Sequence, residues 1–245
     1  MKSIYTKKIL VMISVYNGGK HLREQIDSIL DQKTNHDIHI RIRDDGSKDG
    51  CDKIIDDYIA RYPGKIEIIK GENIGYNASF FALLKKAGGY DYYAFGDQDD
   101  VWLENKIQIA CDAIDEVEEG TMPVLYASTS YLVHDDLVPY GMTRKREKEM
   151  GIYNTIIQNI CPGHTQVFNN RLLELLKDNI DTSKIYVYDS WVLNVANLYG
   201  VVLFDNNAHT YYRQYAGNSL GYGAGWIGRL ITSVKRIKTN DGIKY

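Results

Sequence analysis

Asp97, Asp99 and Asp100 fall within four residues of one another, directly after an apolar run of strand type, in the stretch YAFGDQDDVW. Carboxylates crowded in this way repel one another, and desolvating them costs several kcal/mol unless a cation sits among them. Hard oxygen ligands select magnesium, manganese or calcium. So few acids make an open site, with room for the oxygens of a phosphate-bearing substrate. The plain alternative is a solvated acidic turn in which Asp100 caps the next helix.

Other residues invite chemistry, each with an ordinary reading beside it. Asp189, in VYDSWV, stands in an apolar neighbourhood with Trp191 and Val192. Desolvation there would raise its pKa toward that of a general base, while capping the helix that follows is the simpler use of an aspartate at that point. Asp44 and Asp45 open DDGSKDG, which is either a well-formed strand-to-helix turn or a carboxylate presented to a nucleobase or ribose. Arg213, in TYYRQYAGNS, is suited either to clamp a diphosphate or to pair with a structural acid. The histidines are scattered with no H-E-x-x-H, no P-loop is present, and GYGAG near the C-terminus follows no strand. Zinc hydrolysis and dinucleotide binding therefore have little support.

Positioning these residues falls to a regular alternation. KILVMISV (8–15), DIHIRIRDD (37–45), KIEIIK (65–70) and YDYYAF (90–95) read as strands. Between them, 20–30, 51–62 and 76–87 read as helices, the first two with apolar residues at helical spacing, and a helix over 103–118 follows. Such alternation predicts right-handed crossovers and a mostly parallel sheet with helices on both faces. Ligands of these sheets bind beyond the carboxyl ends of the strands. The polar stretches YNGG, DDGSKDG, GENIG and GDQDD all fall there. Past residue 120 the spacing predicts strands over 123–129 and 164–169 and helices over 171–179 and 189–200, while RKREKEM (144–150) reads as a solvated charge run.

The chain has 245 residues, 44% hydrophobic and 25% charged, which suits one large globular domain. Its net charge of -3 gives no support to a nucleic-acid binder driven by overall electrostatics. Cys51, Cys111 and Cys161 form no C-x-x-C pair and read as reduced thiols in a cytoplasmic protein. The N-terminal apolar run is too short for a membrane span and reads as a first buried strand. In GWIGRLITSVKRIK, apolar residues from Trp226 to Ile237 share one helical face and Arg229, Lys235, Arg236 and Lys238 the other. That segment reads either as a peripheral contact with an anionic membrane or as a helix packed on its own domain.

In their order, ISVYNGGKHLREQIDSILDQ, IRDDGSKDG, ENIGYNASF, YAFGDQDDVWLENKI, PGHTQVFNN, YDSWV and YYRQYAGNSLG resemble a family 2 glycosyltransferase of the inverting GT-A type. FGDQDDVW followed late by YRQYAGNSLG is similar to bacterial rhamnosyltransferases that build cell-surface polysaccharide. The resemblance implies one GT-A domain over 1–220, with a nucleotide-sugar half (1–120), an acceptor half (121–220) and a basic extension (221–245). It implies that Tyr16 and Asn17, with Asp45 and Asp44, hold the donor nucleoside, and that Asn73 and Gly75 line the same cleft. Asp97 and Asp99 become a D-x-D pair, with Asp99 the direct ligand of Mg2+ or Mn2+. Asp189 becomes the general base, although Tyr188 stands where the family often has His or Glu, and Arg213 and Gln214 lie near the diphosphate. The donor would be a dTDP- or UDP-linked sugar, rhamnose first, and the acceptor a saccharide or lipid-linked saccharide. Two other classes compete: a nucleotidyltransferase that makes activated sugars, and a degenerate module that binds a nucleotide sugar without turnover.

Overall fold

In a computed structural model of the chain, the residues described are 6–117, 121–146, 155, 159–177, 185 and 187–214. The apolar run near the N-terminus forms β1 (Lys8–Val15). Ile9, Val11, Ile13 and Val15 face one core cluster, with Leu22, Ile26 and Ile55. Leu10 and Met12 face the other, with Phe80, Leu84 and Leu193. A strand covered on both faces must be apolar throughout, so the run shows no alternation. Each such side chain contributes roughly 1.5–3 kcal/mol on burial.

The expected alternation follows: α1 (Leu22–Leu30), β2 (Asp37–Asp44), α2 (Cys51–Arg61), β3 (Ile66–Lys70), α3 (Tyr76–Lys86) and β4 (Tyr92–Asp97). Then come β5 (Val101–Trp102), α4 (Lys106–Val117), β6 (Val124–Val133), β7 (Pro139–Met142), a 3-10 turn (Gly163–Thr165), β8 (Val167–Asn169), α5 (Asn170–Lys177), α6 (Tyr188–Tyr199) and β9 (Val201–Arg213). The sheet runs β3-β2-β1-β4-β8-β6-β9-β5, with β7 on β6. Its first four strands are parallel, β8 joins antiparallel to β4 and β6, and β6 and β9 are parallel again.

Register fixes where the site lies. Val15 pairs with Asp44, Asp44 with Lys70 and Ser14 with Asp97, so all four strands end at one level and their polar loops gather above it. Strand order reverses between β1 and β4, since β2 and β3 lie on one side of β1 and β4 on the other. A sheet opens a crevice at such a switch point.

Two expectations change in the second half. The single strand over 164–169 is a 3-10 turn followed by a three-residue strand. The stretch 201–213, which carries no strand in the sequence reading, is the longest strand described. Its middle, Asp205-Asn206-Asn207, reads as a turn. The structure accommodates it as an irregularity, with partners jumping from Ser128↔Asp205 to Thr129↔Ala208. The 221–245 extension and residues 147–150 of the charge run lie outside the described residues.

Candidate active site

The acidic loop is built at the end of β4. Asp97 is the last residue of that strand and keeps 35% of its side chain open, whereas Asp100 is completely buried. Asp100 caps no helix, because β5 intervenes and α4 begins only at Lys106. Its Oδ1 accepts the backbone N–H of Arg213 at 3.2 Å, and its Oδ2 has no hydrogen-bond partner. Burial first, then Asp97 and Asp99, holds the Asp100 carboxyl far above the usual carboxylate range. Burial, Asp99 and Asp189 push Asp97 up to about 7.

His164, from the 3-10 turn, completes the group. Its Nδ1 lies 3.7 Å from Asp97 Oδ2 and 3.8 Å from Asp100 Oδ2. Its Nε2 is 3.0 Å from Ser130 Oγ, and the ring packs against Tyr212. Burial, and after it Lys106, depresses this imidazole to about 3, so it is neutral and able to ligate. Ligand-type atoms of Asp97, Asp100 and His164 all lie within 4.8 Å of one another. An orphaned buried carboxylate oxygen, a second acid and an imidazole oriented by a hydroxyl form a donor set that fits a divalent cation. Asp99, the expected direct ligand, lies outside this group of three; its carbonyl accepts Arg213 Nε at 2.8 Å.

Beneath the cluster lies Lys106, fully buried, with Nζ donating to the His164 carbonyl and to Thr210 Oγ1 at 3.1 Å and lying 3.9 Å from the Trp102 ring. Burial lowers it to about 7, against the opposing pull of Asp100 and Asp97. Arg213 is equally buried. Its guanidinium donates to the carbonyls of Asp99 and Asp135 and to the Glu24 carboxylate, so among its two sequence-level roles the observed contacts are those of pairing with a structural acid. Gln214 donates its N–H to Val133 and its side-chain amide to the Arg213 carbonyl.

Asp189 sits in the first turn of α6. Its Oδ2 accepts the Gly163 N–H at 3.0 Å and its Oδ1 the Ser190 N–H at 2.6 Å. Burial raises it to about 6 despite these bonds. Tyr188 fixes the backbone beside it by stacking on Phe80 at 4.1 Å, meeting Phe95 edge-on at 4.9 Å and donating its N–H to Asn77 Oδ1. A Cβ on Gly163 would lie 2.0 Å from the Tyr188 hydroxyl, so only glycine brings its N–H to Asp189 here. The charge of Asp189 is felt at Asp97, and its bond to Gly163, the neighbour of His164, sets the base candidate beside the acidic group.

On the other side, Asp45 is buried. Its Oδ1 accepts Ile74 N–H and Arg43, and its Oδ2 accepts Gly75 N–H at 2.9 Å. Asp44 accepts the Ser47 N–H. Both acids thus brace loops, and Asn73 Oδ1 accepts Gly75 N–H at 3.1 Å. Tyr16 is 47% exposed above them. Asn17, at φ +50, donates its N–H to Ser47 and accepts from Lys48. The sequence reading placed the candidate metal ligands at Asp97 and Asp99; His164 and buried Asp100 join the candidate set only in the structure. The only signal was His164 inside PGHTQVFNN, at no metal-binding spacing.

The sequence model described as Glycosyl transferase family 2 matches residues 10–176, and the chain belongs to that family. The dTDP-rhamnosyl transferase RfbG of Shigella flexneri is 38% identical over 106 residues, covering 42% of this chain and 36% of that protein. The minor teichoic acid biosynthesis protein GgaA of Bacillus subtilis is 31% identical over 123 residues, covering 47% of this chain and 27% of that protein. The chain therefore matches about a third of the length of such relatives. Among solved structures, S. aureus TarS 1-349 in complex with UDP superposes with TM-score 0.65 at 20% identity, over 84% of this chain and 60% of that one. The mannosyltransferase PcManGT of Pyrobaculum calidifontis, in complex with GDP-Man and Mn2+, gives 0.63 at 17% identity, over 98% and 67%. The fold is that of GT-A glycosyltransferases.

Proposed function

We propose that this domain transfers a sugar, rhamnose in the first instance, from a dTDP- or UDP-linked donor to a hydroxyl of a saccharide or lipid-linked saccharide, with inversion at the anomeric carbon. The observation that carries this reading is a juxtaposition: Asp189, a carboxylate raised by burial, accepts the N–H of Gly163 beside His164 and lies within electrostatic reach of the Asp97–Asp100–His164 group. The Shigella rhamnosyl transferase relative supports the choice of sugar and of dTDP.

Tyr16 and Asn17, with Asn73 and Gly75, form the proposed nucleoside side, shaped by Asp44 and Asp45. Asp97, Asp100 and His164 would hold the ion, with Asp99 as a further ligand. Carboxylates accept Mg2+ or Mn2+, and the imidazole tilts the set toward Mn2+. Such an ion supplies the positive charge that offsets charge developing on the leaving diphosphate. Asp189 takes the acceptor's proton as that oxygen bonds to the anomeric carbon from the face opposite the breaking carbon–phosphate-oxygen bond. Arg213 and Gln214 act from behind, keeping the acidic loop in place. The proposed setting is cytoplasmic, at the inner face of the membrane. Among the described residues, no helix is long and apolar enough to cross a membrane.

Thermal-shift measurements against UDP, dTDP and their sugar conjugates, with and without Mn2+, test the reading. A Mn2+-dependent rise with one nucleotide series is expected. Pyrophosphate release from a nucleoside triphosphate and a sugar 1-phosphate would replace it with nucleotidyl transfer.

A further inference from the structure

Adjacent parallel strands diverge at a switch point, and here backbone pairing between β1 and β4 ends at Ser14↔Asp97. One step further, a side chain continues the ladder. Gln98 Oε1 accepts the Tyr16 N–H at 2.8 Å, and Gln98 Nε2 donates to the Tyr16 carbonyl at 3.3 Å. A carboxamide presents the same acceptor and donor as a peptide group, so it can stand in for the strand that has turned away. The packing around it is tight. A Cβ on Gly18 would lie 2.4 Å from Gln98 Oε1 and 2.5 Å from its side-chain carbonyl carbon, so a side chain at position 18 would have to displace the Gln98 amide.

The far side of that loop is held to the turn after β2: Asn17 N–H donates to Ser47, Lys48 N–H to Asn17 Oδ1, and Gly19 N–H to Asp49 Oδ2 at 2.8 Å. Tyr16 itself remains 47% exposed. Gln98 is therefore the tie between the loop bearing Tyr16 and the acidic loop of which it is itself a member.

We infer that Gln98, lying between Asp97 and Asp99, is a positioning residue that sets the width of the crevice between the nucleoside and diphosphate sides of the donor site. The inference rests on the proposed function, which assigns those two sides, and goes beyond it in making donor affinity depend on an amide that need not touch the donor. Its prediction is a coupling: loss of the amide matters only while the Tyr16 ring is there to be misplaced.

The test is calorimetric titration of the full chain with UDP and with dTDP in the presence of Mn2+. The variants are Gln98→Ala, Gln98→Glu, Tyr16→Ala, the Tyr16→Ala/Gln98→Ala pair, Gly18→Ala and Gly18→Ala/Gln98→Ala. For whichever diphosphate the wild type binds, Gln98→Ala is expected to weaken binding about tenfold, as does misplacement of a binding group in a preorganised site. Gln98→Glu, which keeps an acceptor for Tyr16 N–H but sets an oxygen against the Tyr16 carbonyl, should weaken it as well. In the Tyr16→Ala background, removing Gln98 should cost less than about twofold. Gly18→Ala should weaken binding, and shrinking residue 98 to alanine should recover part of that loss. Wild-type affinity in Gln98→Ala, or losses that multiply in the double variant, would overturn the inference while leaving the function standing. Binding undiminished in Tyr16→Ala, or no binding of either diphosphate by the wild type, would overturn the nucleoside assignment and the inference with it.

Discussion

At the scale of single residues, Asp189 owes its raised pKa to burial rather than to any one charge. A base works in its deprotonated form, so at saturating Mn2+ kcat/KM should climb with pH up to about 6 and level off above it. Asp189→Asn should lower turnover by ~10²–10⁴-fold with nucleoside diphosphate affinity nearly unchanged; a rate equal to wild type would remove the base assignment. The metal cluster makes the complementary prediction. Protons on Asp97, raised to about 7, compete with a cation, so Mn2+ affinity should strengthen as pH rises from about 6 to 8. Calorimetry across that range checks the sign, and His164→Ala should weaken the affinity throughout. Asp97 stood out by its strand-end position and Asp189 by its apolar neighbours. Asp100 and His164 did not stand out as ligands, because their pairing depends on a turn returning to β4 from a distant part of the chain, which no local spacing encodes.

At the scale of elements, the 3-10 turn and α6 act as one unit through Gly163 and Tyr188. Gly163→Ala should cost ~1–3 kcal/mol by overpacking against the tyrosine hydroxyl, read as a lowered urea midpoint. Removing that hydroxyl with Tyr188→Phe should recover part of the loss. Strand β9 plays the corresponding part behind the acidic loop, since Arg213 at its end holds the carbonyls of Asp99 and Asp135. Arg213→Met should lower stability by ~1–3 kcal/mol, because the carbonyls of Asp99 and Asp135 lose their side-chain donor. The first four strands and the helices between them were readable from apolar runs, period and the polar loops that separate them. Hidden were β5, too short to show a period, and β9, whose Asp-Asn-Asn interior carries turn chemistry in a strand that tolerates an irregularity.

At the scale of the molecule, the two halves of the sheet divide the work. The parallel half gathers Tyr16, Asn73, Gly75 and the acidic loop at one edge, while the second half returns His164, Asp189 and Arg213 to the same place. The candidate metal group draws on both halves, Asp97 and Asp100 from the acidic loop and His164 from the 3-10 turn, and strand-end loops alone point only to the acids. The measurement that tests the central claim most directly is nucleoside diphosphate release from dTDP-rhamnose and from UDP-sugars by the purified chain with Mn2+. The account predicts release that stops on chelation and falls by ~10²-fold or more in Asp189→Asn. Release unaffected by chelator, or equal in wild type and Asp189→Asn, would contradict it.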